Sequence, residues 1–265
     1  MDALSVVLIF LGGCLAGFLA GFFGISAGIA LVPVLLLFYQ SVGVTSLVAI
    51  HLSIGTSLFV LLFGSLSSAY QYYRKGHIIW RAIVIIGIAS VVSALGGSFI
   101  AGIMSSDMLR KVFAVAVAIT GLAMFGELRK PKGEPKLEVP GLLGTGAVIG
   151  GITSLAAVGG GIFSVWLIYS VHRFPLMKAL GISSATLAIA AAAAALGYIV
   201  SGQGNVFLPP GTLGYVDPLR ALLLILGIIP LGVLGERVAQ RTKAGVLRKV
   251  FAVFLLALAA KLFFV

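Results

Sequence analysis

Between Asp2 and Arg74 the chain carries no Asp, Glu, Lys or Arg. A run of that length is several times the ~20 residues that cross about 30 Å of hydrocarbon as a helix. Composition extends the constraint to the whole chain: 60% of its 265 residues are hydrophobic and 9% charged, against roughly 25% charged for a soluble domain. The expected fold class is an all-α polytopic membrane protein. A net charge of +11 would suit nucleic acid only if the charges shared one folded face. They sit instead in short gaps between apolar runs, so the expected partner is a lipid bilayer and not nucleic acid. The single Cys14 excludes an internal disulfide and any cysteine-cluster metal site. With no Lys or Arg before the first apolar stretch, the start is expected to be mature chain rather than a cleaved signal.

Charges and turn residues divide the chain into ten apolar segments, at residues 4–23, 29–39, 44–73, 82–104, 109–126, 141–157, 162–170, 179–200, 219–235 and 247–265. Those at 29–39 and 162–170 are too short to span, and each follows a glycine-rich break, GISAG at 24–28 and AVGGG at 157–161. A continuous helix tolerates such glycines poorly. The heptapeptide LRKVFAV occurs at 109–115 and again at 247–253. Gly13, Gly17, Gly24 and Gly28 recur at the same spacing as Gly146, Gly150, Ala157 and Gly161, and Gly55 and Ser57 recur as Gly181 and Ser183. The chain therefore reads as two homologous halves of about four to five helices each, the first helix of each half broken at its glycine motif. The expected division is 1–128 for the first repeat, 129–138 for a charged linker and 139–265 for the second repeat.

Lys and Arg in short loops stay cytoplasmic. If every segment changes side, the basic loops at 74–81, 127–136, 172–173 and 236–249 all fall inside, and the loops at 39–44 and 201–218 fall outside. Arg110 and Lys111 are then the discrepancy. Five segments per half is an odd number, so the halves would be inverted. If each glycine break lay within one crossing, the halves would be parallel and the basic linker would land on the unfavoured side. The charge pattern favours inversion.

In hydrocarbon, unwound backbone is tolerated only where protein buries it or water reaches it, so paired breaks in two repeats mark the expected binding site. Helix starts near Gly28 and Gly161 would offer free amides and partial positive charge to an anion. Gly24, Ser26, Gly28, Gly159, Gly160 and Gly161 are the candidates there, with Ser154 near the second turn. Gly13 and Gly17 read as close helix packing. A second candidate group is HLSIGTS at 51–57 with its counterpart GISSAT at 181–186. Ser53, Thr56 and Ser57 share a helix face, although such hydroxyls also bond their own helix carbonyls. His51 reads either as a packed, hydrogen-bonded residue or as a substrate or proton group. Ser183 and Ser184 complete the substrate-binding candidates with His51, Thr56 and Ser57. Ser65, Ser67 and Ser68 read as packing or pore lining.

All seven acids, Asp2, Asp107, Glu127, Glu134, Glu138, Asp217 and Glu236, lie near segment ends or in loops. That disfavours a buried cation, and no metal or cofactor is expected. Intramembrane hydrolysis is disfavoured too, since Ser154 or Ser183 with His51 would lack an orienting acid.

GFLAGFFGISAGIALVPVLL with Pro33, HLSIGTSLFVLLFGSLSSAYQYYRKGHIIW, AVGGG and GYIVSGQGNVFLPPGTLGYVDP, followed by the basic LRKVFA helix, together resemble the sulfite exporter TauE/SafE family from end to end. The resemblance implies a multi-pass inner-membrane permease that moves sulfite or organosulfonates such as sulfoacetate, usually outward. The family's GxGGG stands here as GISAG in the first half, and Trp166 replaces the proline equivalent to Pro33. The expected function is a secondary transporter that holds a small anion at broken-helix starts and works by alternating access. A passive anion channel and an intramembrane enzyme are the alternatives. A homo-oligomer stays compatible with the sequence.

Overall fold

A computed structural model describes residues 3–23, 26–126, 135, 137–157, 162–241 and 245–264. The first half holds α1 (Ala3–Phe23), α2 (Ala27–Ser41), α3 (Ser46–Arg74), α4 (Trp80–Ile103) and α5 (Ser106–Ala123). The second half holds α6 (Val139–Ala156), α7 (Ile162–Trp166) running into a π-helical turn (Leu167–Val171), α8 (Leu176–Ser201), α9 (Pro218–Arg241) and α10 (Gly245–Phe264). Each of the ten apolar segments coincides with one of these elements, the seventh with α7 and its π turn together. Six of them, α1, α3, α4, α6, α8 and α9, are long and apolar enough to cross a membrane, and outward-facing apolar side chains such as Ile88, Val92 and Leu226 suit a lipid solvent. The protein is an all-α, multi-pass membrane protein.

Local chemistry sets the ends of the elements. Thr45 and Ser105 cap α3 and α5 by accepting from Leu47 N and Met108 N, which satisfies amides that a helix start leaves free. Pro140 lies in the first turn of α6, and Pro218 opens α9, where the missing N–H costs nothing.

Glycines set the packing. In α1, Gly13, Gly17 and Gly21 meet Leu224, Ile228 and Gly232 of α9 in ascending order, and a Cβ on Gly17 would lie 2.6 Å from the Ile228 carbonyl oxygen. The two helices therefore run parallel with their backbones in contact, as small-residue membrane interfaces do. Gly146 and Gly150 of α6 meet Ile86 and Ser90 of α4 in the same way. In α3 and α8 the order reverses, since Gly55 lies beside Tyr198 and Gly181 beside Tyr72. Thus α1, α3 and α9 point one way, and α4, α6 and α8 the other.

Each half's first helix lies on the other half's fourth, α3 crosses α8, and α5 lies on α10. Every one of these pairings maps onto another, or onto itself, when the halves are exchanged. Arg110 and Lys111, at odds with the loop-charge pattern, stand at the start of α5, where Asp107 one turn upstream pairs with Arg110.

Candidate functional site

The described ends of the two glycine-rich segments, Ser26 to Gly28 and Ala157, meet. Ser26, the residue before α2, donates its hydroxyl to the Ala157 carbonyl oxygen at 3.0 Å, and Ala157 is the residue after α6. A Cβ on Gly28 would lie 2.1 Å from that same oxygen, so only glycine allows α2 to approach so closely. Ala157 has φ 51°, the left-handed region that a glycine would occupy without steric cost.

Beside this junction lies a cavity of about 520 Å³. Ser26 and Ala27 form its wall at the start of α2, with Ser183 and Ser184 of α8 and the Ser65, Ser67 and Ser68 run of α3. It extends to Tyr72, Lys75 and Glu236 and so opens at the face that carries the basic 74–81 loop. Ser183 shares a 2.5 Å hydrogen bond with Ser164 of α7, and Ser184 bonds the Leu180 carbonyl of its own helix.

His51, Thr56 and Ser57 do not line this cavity. They lie in the other half of α3, against the opposite face. His51 Nε2 is within hydrogen-bond distance of the Ala101 and Met104 carbonyls, at 3.1 and 3.2 Å, and its ring stacks on Tyr215. That ties α3 to the end of α4, the packed, hydrogen-bonded alternative for this residue. Neither Ser154 nor Ser183 bonds His51, and Ser154 donates to Gly151 O. Thr56 Oγ1 accepts from Asp217 N at 3.0 Å. Ser57 is fully buried. Gly24, Gly159, Gly160 and Gly161 lie outside the described residues.

Sequence reasoning missed a polar latch at that opposite face. Asp217, 2% exposed, pairs with Arg220 and accepts from Arg220 N. Tyr39 OH reaches both Asp217 and Thr56 at 3.4 Å, and the Arg220 guanidinium lies over the Phe38 and Tyr39 rings. An acid at a segment end resembles a solvated loop residue. The signal available was its position directly before Pro218, the N-cap place of a helix. Among the described residues, no group of His, Cys, Asp and Glu could hold a metal ion.

The sulfite exporter TauE/SafE family model matches residues 9–262. The chain belongs to that family. Its relatives agree in length as well as sequence. A probable membrane transporter protein of Haemophilus influenzae is 29% identical over 264 residues, covering 97% of this chain and 98% of its own. One from Methanocaldococcus jannaschii is 27% identical over 243 residues, covering 90% of this chain and 88% of its own. No solved structure matches. Family membership and membrane-crossing helices together make this protein a membrane transporter.

Proposed function

We propose that the protein exports sulfite or organosulfonate-type small anions by alternating access between two inverted repeats, residues 1–128 and 139–265, joined by the linker at 129–138. The observation that carries this reading is the cavity at the junction of the two breaks, open to the basic-loop face. By loop charge that face is cytoplasmic, so the cavity is the loading side for export. Opposed directions of α1 and α6, α3 and α8, and α4 and α9 support inversion.

The anion is held by amides at the start of α2 and by the hydroxyls of Ser26, Ser183 and Ser184, without a buried lysine or arginine. Gly24 and Gly159, Gly160 and Gly161 belong to the same proposed site by sequence. A helix start offers both unpaired N–H groups and partial positive charge, and hydroxyls add donors whose bonds to a charged oxygen are stronger than neutral ones.

Reconstituted protein is expected to move sulfite into or out of liposomes with saturable kinetics, competed by sulfoacetate. Ser184→Trp, which fills the cavity, is expected to abolish flux in protein that still purifies as a single folded species. Flux rising without saturation would favour the passive channel. Absence of flux for sulfite, sulfoacetate, taurine and thiosulfate alike would remove the substrate class.

A further inference from the structure

Four buried side chains among the described residues hold a polar atom with no hydrogen-bond partner: Ser57 Oγ, Ser65 Oγ, Tyr198 OH and Arg220 Nε. Buried polar groups are nearly always paired, so each exception needs a reason. Ser65 belongs to the lining of the open cavity already described. Arg220 is held by Asp217 through another nitrogen. Ser57 and Tyr198, each with no exposed surface, are left without either explanation.

Exchange of the halves supplies one. A Cβ on Gly55 would meet the Tyr215 carbonyl oxygen and, at 3.2 Å, Tyr198 Cβ; a Cβ on Gly181 would meet the His77 carbonyl oxygen and, also at 3.2 Å, Tyr72 Cβ. The same three-part contact is thus built twice. In it Tyr198 takes the place of Tyr72, and Ser57, two residues beyond Gly55, takes the place of Ser183, two residues beyond Gly181. Tyr72 and Ser183 line the open cavity. Their equivalents are the two hydroxyls sealed away without a partner.

The loop that follows α8 is fastened beside those two residues. Tyr215 is wedged between His51 and Tyr198 and donates its N–H to the Tyr198 carbonyl, while Asp217 fastens the same loop to Thr56. At the equivalent places on the open side stand His77 in the wedge and Ile182 and Ile79 in place of Thr56 and Asp217, which can form no such latch.

We propose that Ser57 and Tyr198 line a second half-pathway, shut in this conformation and opening toward the 201–218 loop, and that their hydroxyls donate to the transported anion once it opens. This rests on the inverted-repeat transporter reading above, and it assigns the anion a distinct set of ligands on the release side. A hydroxyl that is unpaired in one state and anion-bound in the other favours the state in which the anion is present, by differential interaction with the two conformations.

The test uses full-length protein in liposomes of known orientation, in a Cys14→Ser background, with sulfoacetate as the anion and a membrane-impermeant thiol reagent. Ser57→Cys is expected to react from the 201–218 face and to react faster while sulfoacetate is being transported; Ser183→Cys is expected to react from the opposite face. A Ser57→Cys protein that transports yet never reacts from the 201–218 face overturns the inference and leaves the transporter reading standing. Wild-type vesicles that move no sulfoacetate and no sulfite overturn that reading, and this inference with it.

Ser57→Ala and Tyr198→Phe supply an independent readout. Each is expected to raise the half-saturating sulfoacetate concentration by about tenfold, the scale of one lost hydrogen bond to a charged group. The rise is expected only when the anion is offered at the 201–218 face. An equal rise at both faces, or none, overturns the ligand role.

Discussion

At the scale of single residues, the junction of the breaks depends on one glycine and one strained alanine. Gly28 admits the Ala157 carbonyl at a distance no Cβ tolerates, so Gly28→Val is expected to destabilise the detergent-solubilised protein by about 1–3 kcal/mol, read as a lower thermal midpoint. Ala157 sits at φ 51°, a conformation that costs an L-residue roughly 1–2 kcal/mol. Ala157→Gly is therefore expected to stabilise the protein by up to about 1 kcal/mol once the added freedom of the unfolded chain is set against the relief, read as a higher midpoint; a fall would show that the alanine methyl is needed where it packs. Gly28 and Ser26 were legible in the sequence because glycine and serine at a break between two apolar runs have few other uses. Tyr39, Asp217 and Arg220 were not, because burial of an acid at a helix start depends on which loop folds over it, and that is a long-range contact. Ser57 was legible as a candidate, but its complete burial was not, since hydroxyl spacing gives a helix face and not its neighbour.

At the scale of elements, the latch between α9 and α3 and the ion pair on α5 give a controlled contrast. Asp217 is almost fully buried, whereas the Asp107 side chain of the α5 pair is 78% exposed. Removing one partner of a buried pair leaves an uncompensated charge and costs about 3–5 kcal/mol, while an exposed i,i+3 pair contributes about 0.5 kcal/mol or less. Asp217→Ala is accordingly expected to lower the thermal midpoint far more than Asp107→Ala under the same conditions, and equal shifts would mean that the latch is not closed in solution. The glycine seams carry a second expectation. Gly13 in α1 faces a backbone carbonyl of α9, and Gly146 in α6 faces one of α4, so Gly13→Val and Gly146→Val are expected to cost similar amounts, again about 1–3 kcal/mol. Apolar length marked all these helices correctly, because a helix in lipid is bounded by charge and turn residues rather than by tertiary context. The π turn at Leu167–Val171 had no such marker: its sequence carries no charge, glycine or proline, and the wider turn shows only in the hydrogen-bond pattern.

At the scale of the whole molecule, the two halves of the chain are not separable bodies. With α1 seated on α9 and α6 on α4, each half leaves its first and fourth helices without their backbone-contact partners when the other is absent. Residues 1–128 expressed alone are expected to be degraded or aggregated, and co-expression with residues 139–265 is expected to restore a protease-resistant complex; a stable isolated half would contradict the interlocked arrangement. The correspondence of residues 109–115 with 247–253 was legible in the sequence itself. The interlocking was not, since sequence identity relates positions without saying whether equivalent helices touch their own half or the other.

The two glycine seams also bear on motion. Where carbonyls of one helix lie against the bare α-carbons of the next, as along α1 and α9 or α4 and α6, there are no side chains to repack and no slack to slide through. Each seam acts as a rivet, so each pair is expected to behave as one body. Any change of shape is therefore expected where these pairs meet α3, α5, α8 and α10, and not along the seams themselves.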